Sequence, residues 1–166
     1  LLLSLADHEM YIPKWSPIIE DEWTRNVLSN RTDLSQKQIA RTAGIMNAAF
    51  PDAMIEGFEP LIIGLELPDP GDNHVLAAAI RSNAEVIVTS NLKDFPQDYL
   101  DQFDVEVQSP DTFIANLIDL NQATAIRALQ EQVQRLRNPP CEIHDVLDTF
   151  RQNGLKESAD YFAALL

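Results

Sequence analysis

The sequence predicts an α/β domain, in which a central parallel sheet lies between two layers of helices, followed by a helical extension. Three observations predict this fold class. Strand-like and helical segments alternate up to about residue 119, which is typical of a parallel sheet with helical crossovers. Residues 85–89 are predicted to form a strand, because residues 86–89 are a continuous β-branched run, the pattern of a buried parallel strand. After residue 119 no strand-like run occurs.

The first elements are predicted from caps and from the spacing of apolar residues. Residues 1–5 read as the end of an apolar helix, and residues 11–15 are short, aromatic and β-branched, which predicts a strand. A Ser-Pro pair then opens a helix over residues 17–28. A capping serine opens a second helix over residues 35–50, and residues 61–65 are predicted to form a short strand.

The middle of the sequence combines a tight loop with the clearest strand. Residues 67–71 contain two prolines and a glycine, which predicts a tight loop. Asp72 then occupies the N-cap position of a helix with a buried apolar stripe. The elements that follow are the strand at 85–89, a loop at 90–94, a short helix that ends near residue 103, and a small strand at 105–107.

The last part of the sequence is predicted to be helical. We divide the chain into an α/β domain, residues 1–119, and a helical extension, residues 120–166. Apolar stripes in the extension must dock on the domain, on a second copy or on a partner helix, and we expect no catalytic group there. The predicted helices cover residues 110–119, 122–137, 142–152 and 156–166, with a break at 138–140.

The composition is that of a globular domain with a strong excess of acidic residues. Twelve Lys and Arg stand against 26 Asp and Glu, which gives a net charge of −14. Neutralising phosphates requires clustered basic residues. A chain this acidic therefore needs bound divalent cations to handle nucleic acid, or else the charge serves solubility. The single cysteine and the lack of a long apolar run predict a soluble, cytoplasmic protein without a membrane association.

Carboxylates are the candidate functional groups of this sequence, because it lacks glycine-rich phosphate-binding loops and nucleophile-elbow motifs. Ligands bind at the carboxyl edge of a parallel sheet, where Glu22, Asp72, Asn91 and Asp94 are expected. Oxygen donors of this kind suit Mg²⁺ or Mn²⁺, ions that activate water and orient a phosphodiester. Taken singly, these side chains also fit helix caps, turns or a solvated helix face. We expect a surface or rim role for His74.

Three segments, taken in chain order, resemble the PIN-domain family. They are residues 22–28, residues 67–79 with the sequence LPDPGDNHVLAAA, and residues 86–96 with the sequence VIVTSNLKDFP. The resemblance covers about residues 1–115 and is greatest to a bacterial subgroup that carries a helical C-terminal extension. It implies a three-layer α/β/α fold and Mg²⁺- or Mn²⁺-dependent endoribonuclease activity. The family includes the VapC-type toxins of toxin–antitoxin pairs, so an RNA substrate and a cognate antitoxin are the implied partners. Whether the chain also forms a homodimer stays open.

The resemblance also implies roles for individual residues. Glu22 resembles the second acid of the family and Asp72 the third. The fourth position is open between Asn91, which stands where many members have an aspartate, and Asp94, which matches the Asp of an Asp-Phe pair. We therefore expect Glu22, Asp72 and Asp94 to be the catalytic and metal-binding residues.

Supporting roles are expected for Thr89, Ser90 and Asn91. Thr89 or Ser90 resembles the hydroxyl that supports the site in the family, and Asn91 stands at a candidate fourth acidic position. The first acid of the family, an aspartate on an N-terminal strand, has no counterpart in these 166 residues. We expect a segment upstream of Leu1 to carry it. The missing acid, Asn91 and the net charge of −14 favour an alternative function, a non-catalytic PIN-like module that binds a protein partner or RNA.

Overall fold

The computed structural model describes residues 1–137 and 140–166. Two of the three residues of the predicted break at 138–140 lie outside the described residues. The chain divides into two compact units. The first comprises Leu1–Ile12, Val88–Ser90 and Gln108–Leu166, and the second comprises Pro13–Ile87 and Asn91–Val107.

Helices dominate the described residues. Their bounds are α1 (Leu2–Asp7), α2 (Pro17–Asn30), α3 (Gln36–Ala49), α4 (Glu59–Ile62), α5 (Asn73–Ser82), α6 (Gln97–Leu100), α7 (Pro110–Leu120), α8 (Gln122–Arg135), α9 (Ile143–Gln152) and α10 (Lys156–Leu165). Single 3₁₀ turns lie at Pro70–Asp72, Leu92–Asp94 and Asp101–Phe103. The strands are β1 (Val86–Val88) and β2 (Glu106–Gln108). The helices in the described residues all lack the length or the apolar character that a membrane-spanning segment needs.

The strands β1 and β2 pair in parallel. The N–H of Glu106 donates to the carbonyl of Glu85 (2.8 Å), and the N–H of Thr89 donates to the carbonyl of Gln108 (3.0 Å). Both sequence positions increase along the ladder, so the two strands run in the same direction. The described residues are thus mostly helical with a small parallel sheet, which is compatible with the α/β class, whereas the three-layer arrangement stays a prediction.

The prediction of a strand at residues 11–15 is wrong. These residues contain one isolated parallel bridge, between Trp15 and Met54, in which the N–H of Trp15 donates to the carbonyl of Ala53 (2.9 Å). Pro13 has no N–H to donate to a ladder, which is why aromatic and β-branched composition alone does not extend the pairing.

The strand predicted at residues 61–65 is also wrong, because this run begins in the short helix α4. Pro60 lies in its first turn, where proline is well tolerated. The N–H of Leu61 donates to the carbonyl of Phe58 (3.0 Å), and the Phe58 side chain is fully buried. A short apolar run does not by its periodicity distinguish a strand from a helix.

The helices α2 and α3 begin as their caps predict. The Ser16 hydroxyl oxygen accepts a hydrogen bond from the N–H of Ile19 (3.2 Å), and Pro17 follows at the first helical position. At α3, Ser35 and Gln38 form a reciprocal capping box. Both predicted helices are confirmed, with ends that differ by one or two residues.

The first unit has its own apolar core, built from α1 and α7 to α10. The stripes predicted in the extension contribute buried Leu129, Leu147 and Phe150, whereas Leu136 remains exposed. Ile114 and Ile118 of α7 belong to the same core. The domain boundary between residues 119 and 120 stays a prediction, although α7 before it packs against α8 and α10 after it.

The second unit encloses another core, which supports the loops after β1 and before α5. Its largest members include Phe58, Leu76 and Leu100, all fully buried. Ile87 of β1 and Phe95 are also buried in it. The loops between these anchors carry the acidic side chains described next.

Candidate metal centre

Three carboxylates converge in the second unit. Asp69, Asp72 and Asp94 each offer an oxygen atom, and the three oxygens lie within 4.8 Å of one another. Asp69 is exposed, whereas Asp72 and Asp94 are half-buried. The structure thus brings together two of the predicted metal ligands, Asp72 and Asp94. It adds Asp69, which the sequence analysis missed.

The 3₁₀ turn Pro70–Asp72 sets the positions of Asp69 and Asp72. The Asp69 carboxylate caps this turn, because its Oδ1 accepts a hydrogen bond from the N–H of Gly71 (2.8 Å). Asp72 lies at the N-cap position of α5, as predicted, but its side chain makes no capping hydrogen bond. Its carboxylate is therefore not used to cap the helix. Two aspartates three residues apart around a Pro-Gly turn are the sequence signal for this arrangement.

A buried amide holds the loop before this turn in place. Asn73, the first residue of α5, donates from Nδ2 to the carbonyl of Leu65 (2.8 Å). Its Oδ1 accepts from the N–H of Leu67 (3.1 Å), and the residue is 7% exposed. This pair of bonds fixes the loop to the start of α5, so that Asp69 and Asp72 have defined positions.

The third carboxylate follows β1. Asp94 ends the 3₁₀ turn Leu92–Asp94, and buried Phe95 anchors the chain directly after it. The side-chain amide of Asn91 donates a hydrogen bond to the Asp94 carboxylate. The two candidates for the fourth acidic position of the family are therefore in direct contact.

Glu22 lies on the second turn of α2, as predicted, but it is not one of the three clustered carboxylates. Its Oε1 is 3.1 Å from Nε2 of His74. The surface position expected of His74 is wrong, because its side chain is only 7% exposed, while that of Glu22 is 44% exposed. Thr89 and Ser90 belong to the first unit, and their supporting role stays a prediction.

The electrostatics of the cluster centre on Asp72. Burial raises the pKa of Asp72, the negative charges of Asp69, Asp94 and Glu22 raise it further, and His74 lowers it. Carboxylates crowded in this way oppose one another's ionisation, and a bound cation would relieve that repulsion. The donor set consists of hard oxygen atoms, which fits Mg²⁺ or Mn²⁺.

Comparison with known proteins gives two matches. Residues 110–164 match the family model described as the VapC50 C-terminal domain. Over 93 residues, or 56% of this chain, the sequence is 40% identical to a protein of Mycobacterium tuberculosis (strain H37Rv) named "Putative ribonuclease VapC50". The chain spans about half of that relative, 52% of its length. No solved structure matches the chain with significance.

The family-model match lies within the C-terminal helices, and the name of the relative agrees with the family that the three sequence segments resemble. Together they support a VapC-type PIN protein as the class that this chain resembles.

Proposed function

We propose that this protein is a metal-dependent endoribonuclease that acts as the toxin of a toxin–antitoxin pair. The observation that carries the proposal is the convergence of Asp69, Asp72 and Asp94 within 4.8 Å of one another. Its support is the 40% identity to a relative whose name describes a ribonuclease. RNA is the proposed substrate, and a cognate antitoxin is the proposed protein partner.

In this proposal, Asp72 and Asp94 hold an Mg²⁺ or Mn²⁺ ion, and Asp69 adds a third oxygen. Asn91 orients the Asp94 carboxylate through its amide hydrogen bond. Glu22 contributes a further negative charge close enough to act on Asp72. When bound, the ion supplies an activated water and neutralises charge on the phosphodiester.

The net charge of −14 bears directly on RNA binding. RNA phosphates are repelled by an acidic surface, so the protein needs a local reversal of potential where the substrate binds. A divalent cation at the carboxylates provides that reversal. Substrate binding and cleavage should therefore depend on the same ion.

An RNA cleavage assay tests this function. The 166-residue protein is incubated at catalytic concentration with a structured RNA, in Mn²⁺ and in Mn²⁺ with excess EDTA. We expect cleavage that EDTA abolishes and that Asp94→Asn reduces by orders of magnitude. Asp98→Asn is the matched control, because Asp98 is an exposed carboxylate on the first turn of α6 outside the cluster.

The alternative is a PIN-like module that binds RNA or a protein partner without cutting. The net charge and the amide of Asn91, where many family members have an aspartate, favour it. RNA binding without EDTA-sensitive cleavage would support this alternative and contradict the ribonuclease proposal.

A further inference from the structure

We propose that His74 is a positioning residue that holds the Glu22 carboxylate toward the metal centre. This inference rests on the proposed function, because it assumes that the cluster binds a divalent cation. It assigns a role to the most buried ionisable side chain near the carboxylates.

The geometry gives His74 the means to fix Glu22. The His74 ring lies on α5, two residues after Asp72, and its side chain is 93% buried, so its position is set by packing. The Glu22 side chain extends from α2 and is 44% exposed. The 3.1 Å contact between Nε2 and Oε1 therefore ties a partly exposed carboxylate to a buried ring.

The contact also defines which nitrogen of the ring matters. An ionised carboxylate only accepts hydrogen bonds, so Nε2 of His74 carries the hydrogen and donates to Glu22. Nδ1 is buried and has no hydrogen-bond partner among the described residues. A substituted side chain that carries its donor at the level of Nε2 should therefore preserve the hydrogen bond to Glu22. One that carries its donor at the level of Nδ1 should lose this bond.

The pair is close enough to the cluster to influence it. His74 is two residues from Asp72 in the chain, and its Nε2 contacts Glu22 directly. Groups just beyond the metal ligands, such as Glu22 in this proposal, influence the site through their position, and the loss of such groups typically reduces metal affinity about 10- to 100-fold. A purely structural link between α2 and α5 would instead change stability and leave metal affinity as it is.

The test measures the Kd of Mn²⁺ for the 166-residue protein by calorimetric titration, with thermal melts in EDTA as the folding control. His74→Gln keeps an amide donor near the level of Nε2, whereas His74→Asn moves it to the level of Nδ1. We expect His74→Gln to stay near the wild-type Kd and His74→Asn to raise it at least about tenfold. His74→Leu, which removes the donor without burying another polar group, should show the same loss if His74→Asn fails to fold.

A double variant shows whether His74 acts through Glu22. The Mn²⁺ Kd of Glu22→Gln combined with His74→Leu should equal that of Glu22→Gln alone, because the two changes remove one interaction. Suppose that the wild-type protein binds Mn²⁺ and that the His74→Asn and His74→Leu variants bind it equally well. This result would contradict the role of His74 without contradicting the proposed function. A wild-type protein that binds no Mn²⁺ would overturn both.

Discussion

The backbone N–H of Glu66 donates a 2.8 Å hydrogen bond to the hydroxyl oxygen of Tyr99. This bond joins the two segments that supply the clustered carboxylates. Glu66 lies shortly before Asp69 in the chain, and Tyr99 lies on α6, shortly after Asp94. Together with the Asn73 amide, the Tyr99 hydroxyl fixes the distance between two acidic loops that are far apart in sequence.

Tyr99→Phe should therefore weaken metal binding as well as the fold. The ring keeps its edge contact with Phe103, at a centroid distance of 5.6 Å, so only the hydroxyl is lost. We expect the free energy of unfolding to fall by about 0.5–1.5 kcal/mol and the Mn²⁺ Kd to rise. Tyr161→Phe is the matched control, because it removes a hydroxyl bonded to Asp119 in the first unit. An equal rise in Kd in both variants would contradict a specific role for Tyr99.

Gly71→Ala should disturb the cluster through Asp69. A Cβ at residue 71 would lie 3.0 Å from Oδ1 of Asp69, so the carboxylate would have to move. We expect a weaker Mn²⁺ affinity, measured by titration. Gly44→Ala is the control, because nothing lies within 4 Å of a Cβ there and α3 should gain about 1 kcal/mol of helix propensity. Unchanged affinity in Gly71→Ala would show that Asp69 only caps its turn.

Asn91→Asp should have opposite effects on the metal-free and the metal-bound protein. Without metal, a carboxylate in place of the donating amide repels Asp94, so the melting temperature should fall. With Mn²⁺, the added oxygen ligand should enlarge the metal-induced rise in melting temperature, because that rise grows with affinity. Gln102→Glu adds a carboxylate on an exposed turn of the same unit and should not enlarge it. A metal-induced rise no larger than that of the wild type would place residue 91 outside the metal site.

Asp111 is predicted to stabilise the first unit in a pH-dependent way. Burial raises the pKa of Asp111, but hydrogen bonds from the Ser158 hydroxyl and from backbone N–H groups at the start of α10 outweigh it and leave the pKa below its usual value. The N–H groups of Glu157 and Ser158 each donate at 2.8 Å. A lowered pKa in the folded state means that this stabilisation is fully present above about pH 4 and is lost as the pH falls further.

We expect Asp111→Asn to lower the free energy of unfolding at pH 7 by about 1–2 kcal/mol. The difference from the wild type should shrink as the pH falls below about 4, when measured by denaturant titration. Glu157→Gln neutralises a neighbouring exposed carboxylate without removing these bonds and should have little effect. A difference that is independent of pH would show that the Asp111 charge is not involved.

Local signals in the sequence predicted the helices and the positions of single acids. Ser16 and Ser35 mark helix starts through hydrogen bonds to residues nearby in the chain, so their role is visible in the sequence. The strand β1 could be predicted because a continuous β-branched run is typical of a strand that is buried on both faces. The prediction of strands at residues 11–15 and 61–65 is wrong because Pro13 and Pro60 restrict the backbone there.

The contacts across the site could not be predicted, because they depend on distances between segments. Nothing near Asp69 in the sequence shows that its carboxylate meets that of Asp94. The burial of His74 and its contact with Glu22 depend on how α2 and α5 pack. The resemblance to PIN domains identified the acids at family positions, and therefore missed Asp69, which has no assigned place in that pattern.

The most direct test of the account compares Asp72→Asn with Asp98→Asn in Mn²⁺ titrations and thermal melts. Asp72 makes no capping hydrogen bond, and burial and the neighbouring carboxylates raise the pKa of its carboxyl, so neutralising it should not cost stability. Asp72→Asn should thus leave the metal-free protein as stable as the wild type, or more stable by a few tenths of a kcal/mol. It should also remove most of the stabilisation by Mn²⁺, whereas Asp98→Asn should retain it. Equal stabilisation of both variants by Mn²⁺ would contradict a metal centre at these carboxylates.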